Sequence, residues 1–206
     1  MDVLLNTFVV LFIVIDPFGL APMFLALTPG TLPAYQHKMA VNGTLLASAM
    51  LLVFYFVGDR LLAALGIGLP AFRIAGGALL FLLAIDMVFA RQSGLRSTTI
   101  REQREAETKR DISVFPLAFP LIAGPGALTT VLLMSASAAG SFIFIGTLVV
   151  LLIVLAITLV SLLYAGRILR FLGETGANVI SRLFGLILAA LAVQFILDGI
   201  RASFPG

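Results

Sequence analysis

Apolar residues in this chain come in blocks longer than a soluble fold needs. From Ile112 to Gly166, 55 consecutive residues contain no Asp, Glu, Lys or Arg, and Met39 to Gly58 supplies another 20. About 20 such residues let a helix cross a hydrocarbon core of about 30 Å. Barrel strands would alternate apolar and polar positions, whereas the run from Leu148 to Leu155 is apolar on every side. The pattern predicts six helical spans: Val3–Leu27, Met39–Val57, Phe72–Ala90, Ile112–Ser135, Phe142–Ala165 and Asn178–Asp198. The expected fold is an all-α polytopic membrane protein forming a single transmembrane domain, residues 1–206.

Composition agrees: 61% of the residues are hydrophobic and 11% charged, against about 25% charged in soluble domains. The loops after spans one, three and five hold ten basic residues, and the other side holds three, Arg60, Arg73 and Arg201. By the positive-inside rule both termini are expected to face away from the cytoplasm. Most of that charge sits in a connector, residues 91–111, with six basic and four acidic residues. Glu105 and Lys109, four apart, suggest a short surface helix there. The segment lacks the aromatic interleaving of a nucleic-acid surface, so no nucleic-acid partner is expected. With no cysteine and one histidine, His37, neither a metal site nor a cofactor is expected. Met1-Asp2 opens the chain without a basic region, so no cleavable signal is expected either.

The connector divides the chain into halves of three spans, 1–90 and 112–206. Phe72-Arg73-Ile74-Ala75-Gly76 aligns with Ser181-Arg182-Leu183-Phe184-Gly185 at an offset of 109, and Asp16-Pro17 with Gly124-Pro125 at 108. Leu65-Gly66 and Leu172-Gly173 precede the third span of each half. Three spans per half force the second half to enter the membrane in the opposite sense. The expectation is a pair of inverted repeats, an architecture of secondary transporters that bind substrate where interrupted helices meet.

Spans one and four carry the interruptions. Asp16-Pro17-Phe18-Gly19 sits about 20 Å along the first helix at 1.5 Å per residue, and Ala123-Gly124-Pro125-Gly126-Ala127 interrupts the fourth. Proline removes a donor and clashes with the preceding turn, so both spans are expected to unwind near mid-membrane. Backbone freed at that depth must be buried in protein or line a cavity, and the amides of a new half-helix attract an anion. Candidate substrate-binding residues are therefore Asp16, Pro17, Phe18, Gly19, Ala123, Gly124, Pro125, Gly126, Ala127, Thr129 and Thr130.

A carboxylate at the bilayer centre costs at least about 2.5–3.5 kcal/mol and turns inward. Asp16 is thus a proton carrier, a Na⁺ ligand, a partner for a substrate ammonium, or the N-cap of the following half-helix. Coupling to H⁺ or Na⁺ would run through it. Asn42, Asn178 and Gln194, with Thr44, Ser48 and Ser181, are secondary candidates more suited to interhelical hydrogen bonds.

The runs Asp-Pro-Phe-Gly-Leu-Ala-Pro-Met-Phe at 16–24, Arg-Ile-Ala-Gly-Gly at 73–77 and Pro-Leu-Ala-Phe-Pro-Leu-Ile-Ala-Gly-Pro-Gly-Ala at 116–127 resemble the MarC family of bacterial inner-membrane proteins. The resemblance extends over essentially the whole chain. The family includes the archaeal small neutral amino acid transporter SnatA, so the resemblance implies carriage of glycine or alanine, with the site framed by residues 16–22 and 123–130. The expected function is a secondary transporter of small neutral amino acids, for uptake or export, with no ATP-binding loop to drive it. The alternatives are an intramembrane aspartyl-type enzyme, which needs a second carboxylate beside Asp16, and a transporter or channel for another small solute.

Overall fold

The computed structural model describes residues 2–89, 111–138 and 140–204. Among them there is no strand. The helical segments are α1 (Asp2–Ile15), α2 (Pro17–Leu27), α3 (Pro33–Ala64), α4 (Leu69–Phe89), α5 (Ser113–Ile122), α6 (Pro125–Ala136), α7 (Ser141–Leu163) and α8 (Ala165–Ser203). Five straight apolar spans are long enough to cross a membrane, α1 and α2 counting together as Val3–Leu27, and the bent α5–α6 pair makes a sixth. The connector helix suggested by Glu105 and Lys109 lies outside the described residues.

Two spans are longer than their apolar cores. Helix α3 starts at Pro33, ahead of Gln36, His37 and Lys38, and runs past Asp59 and Arg60. Backbone hydrogen bonding in a helix does not stop where the hydrocarbon does. Helix α8 spans 39 residues but turns at Gly173, whose φ of 67° requires glycine. Gly66, ahead of α4, has nearly the same φ, 69°.

In lipid, hydrocarbon side chains gain nothing by leaving one neighbour for another, so helices associate through close packing and hydrogen bonds. The α4–α8 pair shows how. Pro70, Gly77 and Ala84 recur every seventh residue along α4, and Gly185, Ala192 and Gly199 do so along α8. The two seams run antiparallel: a Cβ at Gly77 would lie 2.8 Å from Ala192 O, one at Gly185 3.0 Å from Ala84 O, and one at Gly199 2.9 Å from Pro70 O. Small residues at seven-residue spacing let the two backbones touch.

Most of the remaining contacts form crossed pairs. Helix α3 packs on α5 and α6 while α7 packs on α1 and α2, and α8 packs on α2 while α4 packs on α6. Gly43 of α3 sits against Leu117, and Gly146 of α7 against Leu4. The α1–α2 span lies at the centre: 56% of its most apolar window is buried, against a third or less in the other straight spans. The outer surface is apolar, with Leu5, Leu45, Val53, Phe142 and Phe171 all exposed, as a lipid-facing belt requires.

Candidate functional site

Two helix starts are buried inside this bundle. The first is the start of α2. Asp16 has φ 51° and ψ 68°, a left-handed conformation that a short polar side chain tolerates. Its Oδ1 accepts from the Gly19 N–H at 3.0 Å, closing the first turn as an N-cap, with Pro17 at the first helical position. The expected unwinding is confined to this one residue: the Asp16 N–H still donates to Phe12 O at 2.9 Å, and the Leu20 N–H to Asp16 O at 3.0 Å. A side-chain cap replaces what the proline removes, so the chain need not unravel.

Other elements hold this start in place. Ser181 of α8 donates from Oγ to Asp16 Oδ2 at 2.9 Å, and Ser161 of α7 donates to Pro17 O at 2.7 Å. Gly19 leaves room for the first contact, since a Cβ there would run into Asp16 Oδ2 and approach Ser181 Oγ to 2.5 Å. Asp16 is 2% exposed. Phe18 sits beside it, edge-on to Phe12, whose ring in turn meets Phe184 of α8.

The second start is that of α6. The α5 segment before it is wound in wide turns, with the Leu117 N–H reaching Ile112 O and the Ala123 N–H reaching Ala118 O, five residues back in each case. Extended backbone at Phe115 and Phe119, ahead of Pro116 and Pro120, interrupts it. Proline disfavours helical angles in the residue before it, so α5 is irregular along its length. After Ala123 and Gly124 the chain turns 58° into α6. Gly124 is extended and offers no side-chain cap, so the first-turn N–H groups of Gly126 and Ala127 point out of the helix end. They face a crevice of about 10 Å³ lined by Val14, Leu83, Leu121 and Ile122.

This crevice holds about one water, so the α6 start is closed in this conformation. Val14, two residues before Asp16, brings the two starts into one neighbourhood. Thr130 and Thr129 are both buried, but the Thr130 hydroxyl donates to Gly126 O within its own helix, and Thr129 packs its methyl on Gly76 of α4. Asn42 is half-buried on α3, Asn178 is exposed on α8, and Gln194 is exposed with its amide donating to Asp198. Ser161, Ser181 and the backbone of Pro17 form the set that spacing could not assemble. Ser181 was visible as a polar residue entering a span, while Ser161 gave no signal.

A family model for the MarC family of integral membrane proteins matches residues 1–204. The chain belongs to the MarC family. This MarC protein is similar to the UPF0056 membrane protein YvbG of Bacillus subtilis, 36% identical over 98% of this chain and 96% of YvbG. It is also similar to the UPF0056 inner membrane protein YhgN of Escherichia coli, 37% identical over the whole of both chains. A UPF0056 membrane protein of Archaeoglobus fulgidus is 34% identical over 94% of this chain and 90% of its own. No solved structure matches. Among the described residues of this MarC protein no three His, Asp or Glu side chains cluster as metal ligands. Outside the spans, Asp111 caps the approach to α5: Ser113, whose hydroxyl lies nearby and whose backbone N–H donates to Asp111 Oδ1 at 2.9 Å, holds its carboxyl below the usual carboxylate range.

Proposed function

We propose that this MarC protein is a secondary transporter of small neutral amino acids such as glycine or alanine, working by alternating access of two inverted repeats across the bacterial inner membrane. The observation that carries this reading is the burial of two polar helix starts, capped by Asp16 and uncapped at Gly124, in one apolar bundle. An integral membrane protein has little structural use for either. A zwitterion complements both: N–H groups of Gly126 and Ala127 suit a carboxylate, and the Asp16 region suits an ammonium. Val14, Leu83 and Ala127 wall the α6 start, so once that start opens it would admit only a small side chain.

The crossed packing supports the repeat. Exchanging α1 with α5, α2 with α6, α3 with α7 and α4 with α8 turns the contacts of α3 with α5 and α6 into those of α7 with α1 and α2. The same exchange turns the α2–α8 contact into α6–α4. The α4–α8 seam maps onto itself, and Gly66 and Gly173 with matching φ precede the segments that form it. Proline-interrupted helices meeting across repeats are where such transporters bind substrate. The ten-to-three distribution of basic residues supports a non-cytoplasmic position for both termini.

The aspartyl-enzyme alternative asks for a second carboxylate at Asp16, and Asp198 accepts instead from Gln194 on the exposed face of α8. The test is thermal unfolding of purified protein against a panel of amino acids. Glycine or alanine should raise the midpoint saturably, as ligands that bind only the folded state do, while leucine and glutamate leave it unchanged. No stabilisation by any small neutral amino acid would count against the assignment.

A further inference from the structure

A cavity of about 410 Å³ opens at one end of the bundle, between the end of α2, the start of α3 and the α7–α8 junction. Phe24 and Leu162 line it with Gln36, His37, Tyr164 and Arg167. Leu162 follows Ser161, the residue that holds Pro17 O. Phe24 lies seven residues along α2 from Pro17, about 10 Å at the helical rise. The cavity thus reaches toward the Asp16 start from outside.

The opposite end is shut. Tyr55 of α3 is 2% exposed; its hydroxyl donates to Phe144 O of α7, and the two rings lie 4.8 Å apart. Arg73 Nη2 donates to Ser137 Oγ at 2.9 Å, tying α4 to the end of α6. Leu132 of α6 fills the space left by Gly58 of α3.

The offset of 109 that aligns Arg73 with Arg182 also aligns Tyr55 with Tyr164 and Tyr35 with Phe144. The two residues that close the shut end therefore have counterparts at the open end. Tyr164 ends α7 at the cavity and is 47% exposed, with Arg167 over its ring, and Tyr35, at the start of α3, is 55% exposed. One pair is bonded across α3 and α7 with Tyr55 buried; both members of its counterpart on the same two helices are exposed.

We infer that this cavity is the access path to the Asp16 start and that Tyr164 and Tyr35 are its gate. In the alternate state the Tyr164 hydroxyl donates to Tyr35 O as Tyr55 now does to Phe144 O, and the Tyr55–Phe144 latch opens. The assignment rests on the alternating-access reading above. It makes Tyr55 and Tyr164 gating residues that need not touch the substrate.

The chain contains no cysteine, so a Tyr35→Cys/Tyr164→Cys pair reports approach of the two gate positions without background. A short bifunctional thiol reagent is applied to the protein in liposomes, with Tyr55 native or replaced by Phe. Losing one neutral hydrogen bond shifts a two-state ratio about two- to tenfold, and trapping of the minor gate-closed state should accelerate by that factor. Ser137→Ala, at an exposed position, releases the same end through Arg73 and should accelerate it too, which covers a failure of Tyr55→Phe to fold. Labelling of Gly166→Cys, where a new Cβ meets no atom within 4 Å, should slow in parallel as the cavity closes. Unchanged or slower crosslinking in both variants overturns the gate. Accelerated crosslinking in a protein that carries no amino acid would leave the gate standing and remove the substrate assignment. Glycine transport with crosslinking indifferent to both substitutions would remove the gate alone.

Discussion

Replacing Asp16 separates its role as a cap from its charge. Asp16→Ala removes the oxygen that receives the Gly19 N–H and the one that receives Ser181 Oγ, and leaves an alanine in a left-handed conformation. Loss of an N-cap costs about 1 kcal/mol and the left-handed angle about 1–2 kcal/mol for a residue with an ordinary Cβ. The half-buried Ser181 hydroxyl, deprived of its acceptor, adds about 1 kcal/mol or more. These contributions share groups and do not simply add, so the expected total is about 3 kcal/mol. For a chain of this size that corresponds to a midpoint lower by about 6–12 °C. Asp16→Asn keeps an acceptor for Gly19, tolerates the same angles, and offers its amide N–H to the Ser181 oxygen. Its midpoint should fall by no more than about 4 °C. The assay is thermal unfolding in detergent at one fixed scan rate. An alanine variant within 2 °C of the native protein, or an asparagine variant as damaged as the alanine one, would refute the capping argument.

Three further outcomes follow from the packing and the charges. Gly77→Ala places a Cβ 2.7 Å from Ile196 and 2.8 Å from the Ala192 carbonyl, and should cost about 1–3 kcal/mol by unfolding, while Leu82→Ala on the lipid-facing side of α4 stays within about 0.5 kcal/mol. Gly126→Ala puts a methyl 3.0–3.1 Å from Leu83 and Leu80, filling the crevice at the α6 start, and should weaken glycine binding by thermal shift while leaving the midpoint of the unliganded protein nearly unchanged. Asp111, whose carboxyl is held low by Ser113, contributes stability above its unfolded-state value and loses it as the pH falls through its folded one. The midpoint difference between native protein and Asp111→Asn should therefore be present at pH 7 and shrink on acidification toward pH 3.

Much of this architecture was legible in the chain because lipid imposes simple rules. Apolar length marked each span, and Gly124-Pro125-Gly126 marked the bend, since no other residues disrupt a helix as strongly. Asp-Pro correctly signalled an N-cap, but proline alone overstated the damage: one left-handed residue and one carboxylate restore the turn that Pro17 disturbs. In α5, two prolines four apart force extended angles on Phe115 and Phe119. What could not be read was the tertiary pairing. Ser181 reaches Asp16 across 165 positions and Ser161 reaches Pro17 across 144, and a lone serine in an apolar helix has no periodicity to announce its partner. Gln194, polar within a span, turns outward to Asp198 one turn away. A local hydrogen bond satisfies it without any site.

Flux of labelled glycine into liposomes containing the purified protein tests the central claim most directly. An imposed H⁺ or Na⁺ gradient should drive accumulation that excess alanine competes away and that Gly126→Ala reduces. Retention of label no greater than in empty liposomes, under either gradient and in both orientations, would contradict it.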